Sequence, residues 1–144
     1  MEHAQTMSGD DLENRIIAEL EKVLGETRFT SNLRLLPRQI REIAQEMTSS
    51  FSQFLNDGNG RVASLLGQKL ARDGISPHAI LSMAESLRRV CWESTDPGPT
   101  LLPVSGRYVG ALLEGYIAAR EAFVLQQQDQ IRRAFERAFE RTRS

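Results

Sequence analysis

The sequence predicts an all-α protein, a bundle of about five helices whose last member outruns the rest. Three observations carry that reading. Every long segment spaces its apolar residues at helical intervals, and none alternates as a half-buried strand does. Glycine, proline and asparagine cluster between those segments. The C-terminal segment, by contrast, has no proline from Ser105 to Arg143 and no glycine after Gly115.

Met1 to Gly9 is polar, has no apolar core of a signal peptide, and reads as a disordered tail. A first helix is expected from the Ser8–Asp11 region, where acids suit the positive helix end. Its apolar face is Leu12, Ile16, Leu20, Val23 and Leu24, with Gly25 as a stop. Thr27 to Leu36 reads as a connector. Pro37 suits the first turn of a second helix, because its missing N–H needs no partner there. Ile40, Ile43, Ala44, Met47, Phe51, Phe54 and Leu55 form its stripe. Asn56-Asp57-Gly58-Asn59-Gly60 tolerates left-handed backbone and ends it.

A shorter third helix carries Val62, Leu65, Leu66 and Leu70 and closes at Asp73-Gly74. The fourth has a capping serine, Ser76, then Pro77, then Ile80, Met83, Ala84, Leu87 and Cys91 on one face. Thr95 to Pro103 packs three prolines and a glycine into nine residues and is predicted to be a loop. The remaining ~39 residues would make a rod of about 58 Å. A compact chain of this length is roughly 35–40 Å across. Tyr108, Val109, Leu112, Leu113, Tyr116 and Phe123 are expected to pack on the bundle, and the rest to project. The predicted division is therefore a tail over 1–9, a sensory and dimerisation domain over 10–125, and a helical extension over 126–144 leading to an output domain.

Composition excludes several classes. Eighteen Lys and Arg against nineteen Asp and Glu give a net charge of −1, with no global pull toward nucleic acid or anionic membrane. No apolar run approaches the ~20 residues that cross a bilayer. One cysteine, Cys91, allows no internal disulfide, so a cytoplasmic location is the default. On its apolar stripe Cys91 reads as buried and inert rather than as a redox sensor, although Arg88 and Arg89 stand near it.

The chemistry-bearing residues are sparse. His78, at the second position of the fourth helix, reads as a surface residue, and the other histidine lies in the tail. Zinc needs several ligands and haem needs an inward aim, so no cofactor is expected. No serine or cysteine has an evident base, and no enzymatic activity is expected. Gly60 to Lys69 superficially matches a phosphate loop, yet Gln68 and Leu70 break its Gly-Lys-Ser/Thr core. Arg38, Glu42 and Glu46 read as a solvated ion-pair face. Trp92, Tyr108 and Tyr116 read first as core-packing aromatics, with a small apolar pocket lined by them as the alternative. Arg132, Arg133, Arg137, Arg141 and Arg143 oppose only Glu136 and Glu140. That local excess makes nucleic-acid binding a minor alternative, since cations also suit a helix C-terminus.

The extension carries one clean seven-residue track, Ile117, Val124, Ile131 and Ala138. The residues three further on, Arg120, Gln127, Ala134 and Arg141, fit a coiled coil poorly. Phe135 and Phe139 add apolar surface that asks for a partner. A homodimer is expected, with Ile117, Val124, Ile131, Phe135 and Ala138 at the dimer or output interface.

The stretch from Leu66 to Ser76 (LGQKLARDGIS), Leu87-Arg88-Arg89-Val90-Cys91, Tyr108 to Tyr116 (YVGALLEGY) and Arg120-Glu121 resembles the amino-terminal non-haem globin-like sensory domain of RsbR-type stressosome regulators. It is also similar to the amino-terminal domains of RsbU-type phosphatases. The resemblance runs diffusely from Pro37 to Ala138. It implies a dimeric globin-like bundle without haem, whose last helix leads into a STAS or other signalling output domain that engages a switch kinase. Ser144 falls where such an output domain would begin. The function expected is a non-enzymatic stress-signalling input module; the alternatives are a domain that docks a switch kinase and a small nucleic-acid-binding protein.

Overall fold

A computed structural model describes residues 9–27, 35–94 and 98–143 of the chain. Five helices account for nearly all of these: α1 Gly9–Thr27, α2 Pro37–Asp57, α3 Arg61–Arg72, α4 Pro77–Glu93 and α5 Gly98–Arg143. The all-α reading holds, with no strand among the described residues.

The boundaries follow from local chemistry. At the start of α2 the backbone N–H of Leu36 donates to Gln39 Oε1 at 2.9 Å, and Pro37 opens the first turn. Gly58 ends α2 at a φ of 66°, in the left-handed region that favours glycine. Asn59 then accepts from the backbone N–H of Arg61 at 3.0 Å and starts α3. Ser76 caps α4 as expected, its hydroxyl oxygen accepting from the backbone N–H of Ala79 at 3.1 Å.

Two boundaries differ from expectation. Helix α1 runs past Gly25 to Thr27, and Gly98 to Pro103 belongs to α5 rather than to a loop; Met1 to Ser8 and 28–34 lie outside the described residues, as do Thr95 to Pro97. Prolines are acceptable in a first turn, where N–H groups have no helical partner. Pro103 lies deeper and removes one backbone bond, but the turn buries Leu101 and Ser105 against the core. Tertiary packing outweighs local propensity there.

Helix α1 lies against α2 and α4, while α5 lies against α3 and α4. The core between them joins Ile16, Leu20 and Leu24 of α1 to Met47 and Phe51 of α2, Met83 and Leu87 of α4, and Leu112 of α5. Tyr108 sits at its centre, edge-on to Phe51 at 5.2 Å and to Phe54 at 5.8 Å between ring centroids. Its hydroxyl donates to the Met47 carbonyl at 3.2 Å and is hydrogen-bonded to Ser50. A buried phenol needs such partners, because an unpaired one costs about 1–3 kcal/mol.

Helices α3 and α5 approach so closely that only glycine fits between them. A Cβ at Gly67 would fall on the Leu112 carbonyl oxygen and 2.8 Å from the Tyr116 nitrogen. One at Gly115 would fall on the Ser64 carbonyl oxygen, and one at Gly60 would come within 3.0 Å of the Ala111 Cβ. The two backbones are thereby clamped together just before α5 leaves the bundle.

Candidate interaction surface

Burial on α5 ends abruptly. Tyr108, Val109, Leu112 and Tyr116 are in the core, whereas beyond Tyr116 only Ala119 and Asp129 are even half-buried among the residues to Thr142. Phe123 belongs outside the bundle, at 55% exposure, and not against it as the periodicity suggested. The reason is length: α5 has 46 residues, a rod of about 69 Å, and the other helices stop well short of its end.

The five predicted interface residues all lie on this free segment. Ile117, Val124, Ile131 and Phe135 are exposed, Phe135 by 72%, and Ala138 is exposed with them. Phe139, 65% exposed, extends the same strip. At 100° per residue, these side chains fall within an arc of roughly 100°. That arc is turned by more than 100° from the side on which Leu112 and Tyr116 face the core, so it does not point back at the bundle. A shallow groove of about 360 Å³ lined by Ile117, Arg120, Glu121, Val124, Leu125 and Gln128 marks its start.

The arginines along this arm are partly engaged on their own helix. Arg132 and Arg133 both reach Asp129, at 2.6 and 3.0 Å. Their guanidinium groups hold the Asp129 carboxyl below the usual carboxylate range, the hydrogen bond from Arg132 contributing most.

The three candidate pocket aromatics sit in different environments. Tyr108 points into the core toward α2, and the Tyr116 hydroxyl donates to the Ile75 carbonyl while receiving a contact from Arg120 at 3.4 Å. Trp92 is 70% exposed on α4, one residue past the buried Cys91 and turned about 100° from it, off the buried stripe. Burial pushes the Cys91 thiol up to about 11, against smaller downward pulls from Ser105 and Arg88. That is an inert thiol.

Other depressions lie on the bundle. An open cleft of about 670 Å³ lies between α2 and α3, with Leu65 and Leu66 in it and Glu42, Glu46 and Lys69 along its edges. Lys69 bridges the cleft by an ion pair with Glu46 at 2.7 Å. A polar hollow of about 350 Å³ between α1 and α4 places His78 near Ser82, Glu85 and Arg89, but no hydrogen bond joins His78 to Ser82 or Glu85. It lacks the oriented pair that nucleophilic catalysis requires. Gly60 to Lys69 is the end of a turn and most of α3, with no exposed loop to cradle a phosphate.

No signal in the periodicity marked Gly67 and Gly115, because helical-wheel reasoning weighs side chains and these positions act by having none. Compared with protein-family models, curated proteins and solved structures, the chain matches none of them.

Proposed function

We propose that the chain is a non-enzymatic input module of a bacterial stress-signalling protein, which dimerises through the exposed strip of α5 and passes a change along that helix to an output domain. The observation that carries this reading is the arm itself. Apolar side chains as large as Ile131 and Phe135, 60% and 72% exposed, are costly to leave in water, and covering each contributes about 1.5–3 kcal/mol. They lie beyond the reach of the chain's own core, so their cover is another surface. The resemblance of Leu66–Ser76 and Tyr108–Tyr116 to RsbR-type sensory domains supports the signalling context and a STAS-type output. A cytoplasmic site of action fits that context.

The second reading, a domain that docks a switch kinase, draws its support from the open α2–α3 cleft, where Leu65 stands half-exposed between ionic edges. Nucleic-acid binding is weaker, since Arg132 and Arg133 already share Asp129.

Phe135→Asp in the intact chain tests the first reading. Light scattering is expected to find two copies for the native chain and one for the variant, at unchanged helix content and melting temperature. A native chain that is a monomer at all concentrations, or a variant that stays dimeric, would sink it.

A further inference from the structure

The arm's exposed face repeats at alternating intervals of four and three residues. Ile117, Val124, Ile131 and Ala138 recur every seven positions, and four residues after each stand Glu121, Gln128, Phe135 and Thr142. Both tracks are exposed along α5, so together they form a two-column seam of the coiled-coil kind. One column is apolar throughout; the other is mostly polar.

The direction of the partner decides whether such a seam is tolerable. In a same-direction pair every residue meets its own copy, which sets Glu121 against Glu121 and Gln128 against Gln128. Opposed carboxylates repel, and more strongly as water leaves the seam. In an opposite-direction pair centred between Asp129 and Gln130, the columns mix. Ile117 meets Thr142, Glu121 meets Ala138, Val124 meets Phe135, and Gln128 meets Ile131. Every polar residue then faces an apolar one, and the bulky phenyl ring faces the smaller valine.

Charge points the same way. From Ile131 onward the arm carries five arginines against Glu136 and Glu140, a net +3; from Ile117 to Gln130 it carries Arg120 against Glu121 and Asp129, a net −1. A same-direction pair lays the +3 halves together, and an opposite-direction pair lays each on the −1 half. The same face also continues back along the bundle as Glu114, Gly110 and Arg107, all exposed, where a same-direction pair would stack like charges again.

We infer that the occupant of the arm is a second copy of the chain laid antiparallel, so that each arm's tip reaches the partner's Ile117, where the partner's α5 leaves its bundle. This rests on the reading of the arm as the dimer interface, and deepens it. It makes the relay cross between copies: whatever the tip of one arm carries is delivered to the bundle of the other.

Disulfide trapping in the intact chain, with Cys91→Ala removing the native thiol, tests the direction. Chains carrying Val124→Cys and chains carrying Phe135→Cys are oxidised separately and mixed. A disulfide requires Cα atoms within about 7 Å. The expected result is a covalent heterodimer in the mixture and little covalent dimer from either variant alone. Efficient self-trapping of Val124→Cys would overturn the antiparallel arrangement while leaving the arm as interface. A chain that light scattering finds monomeric, or dimeric without trapping in any combination and still dimeric after deletion beyond Gln126, would overturn both.

Discussion

Glycine substitutions on α5 and its neighbour should separate in sign according to what each one touches. Gly67→Ala and Gly115→Ala drive a methyl group into a backbone carbonyl of the facing helix, Leu112 or Ser64. Overpacking of this kind costs about 1–3 kcal/mol, which outweighs the gain of up to ~1 kcal/mol from better helix propensity. Gly110→Ala meets nothing within 4 Å and is exposed, so it should stabilise by about 0.5–1 kcal/mol. Urea unfolding of the three variants checks both signs. A second residue-scale expectation concerns alkali. Cys91 is raised from 9.0 to about 11, and Tyr108 and Tyr116 are raised as well, by burial first in each case. A raised folded-state value means that the unfolded chain releases the proton first. The stability contributed by these neutral groups is therefore complete below pH ~9 and declines as pH rises through 11. Urea midpoints at pH 7.5 and 10.5 should differ, and Cys91→Ala should narrow the difference. The buried thiol was legible in the sequence from its place four residues after Leu87, whereas the exposure of Trp92 was not. An aromatic ring says little about burial until the helix phase around it is fixed.

At the scale of the element, helices α2, α3 and α4 could be read almost to the residue because their ends are written in side chains: Pro37, Gly58, Asn59 and Ser76. The start of α5 could not, since three prolines and a glycine outvote helix in any local reading. What decides the matter is the distant core that receives Leu101, Ser105 and Tyr108. The end of bundle contact was misplaced for the same reason. Phe123 keeps the right spacing to follow Tyr116 inward, but the bundle has no further helix length to meet it. Since the core residues of α5 all precede Ile117, the arm contributes little to the bundle's own stability. Deleting residues after Gln126 should leave a cooperative melt within a few degrees of the intact chain, while the mass by light scattering falls toward one copy. Loss of the fold on this deletion would mean that the arm is part of the core after all.

For the whole molecule, the order of the helices and the over-long last member were legible, whereas the pairing of α3 with α5 was not, because it depends on the absence of side chains at Gly67 and Gly115. If the arm relays a change to an output domain, its rotational phase should matter more than its exposed charges. One inserted residue turns everything downstream by about 100°, and seven return it close to phase. In the full-length protein, insertions of one to three residues between Gln126 and Asp129 are expected to abolish stress-dependent output, and a seven-residue insertion to restore most of it. Replacing Arg132, Arg133 and Arg137 with Gln should change output little, as exposed charges contribute at most ~1 kcal/mol each. Harmless insertions with damaging arginine replacements would instead favour a tether or a charge-based partner. The glycine clamp has a mechanical corollary. It lies at the far end of a longer hold: α5 is buried in the core from Leu101 to Tyr116, a span of about 23 Å, and the free rod beyond runs about 40 Å. A rod held this way behaves as a lever with a gain of about two. A shift of 1 Å across the bundle, well within ordinary helix–helix adjustment, swings the far end of α5 by about 2 Å.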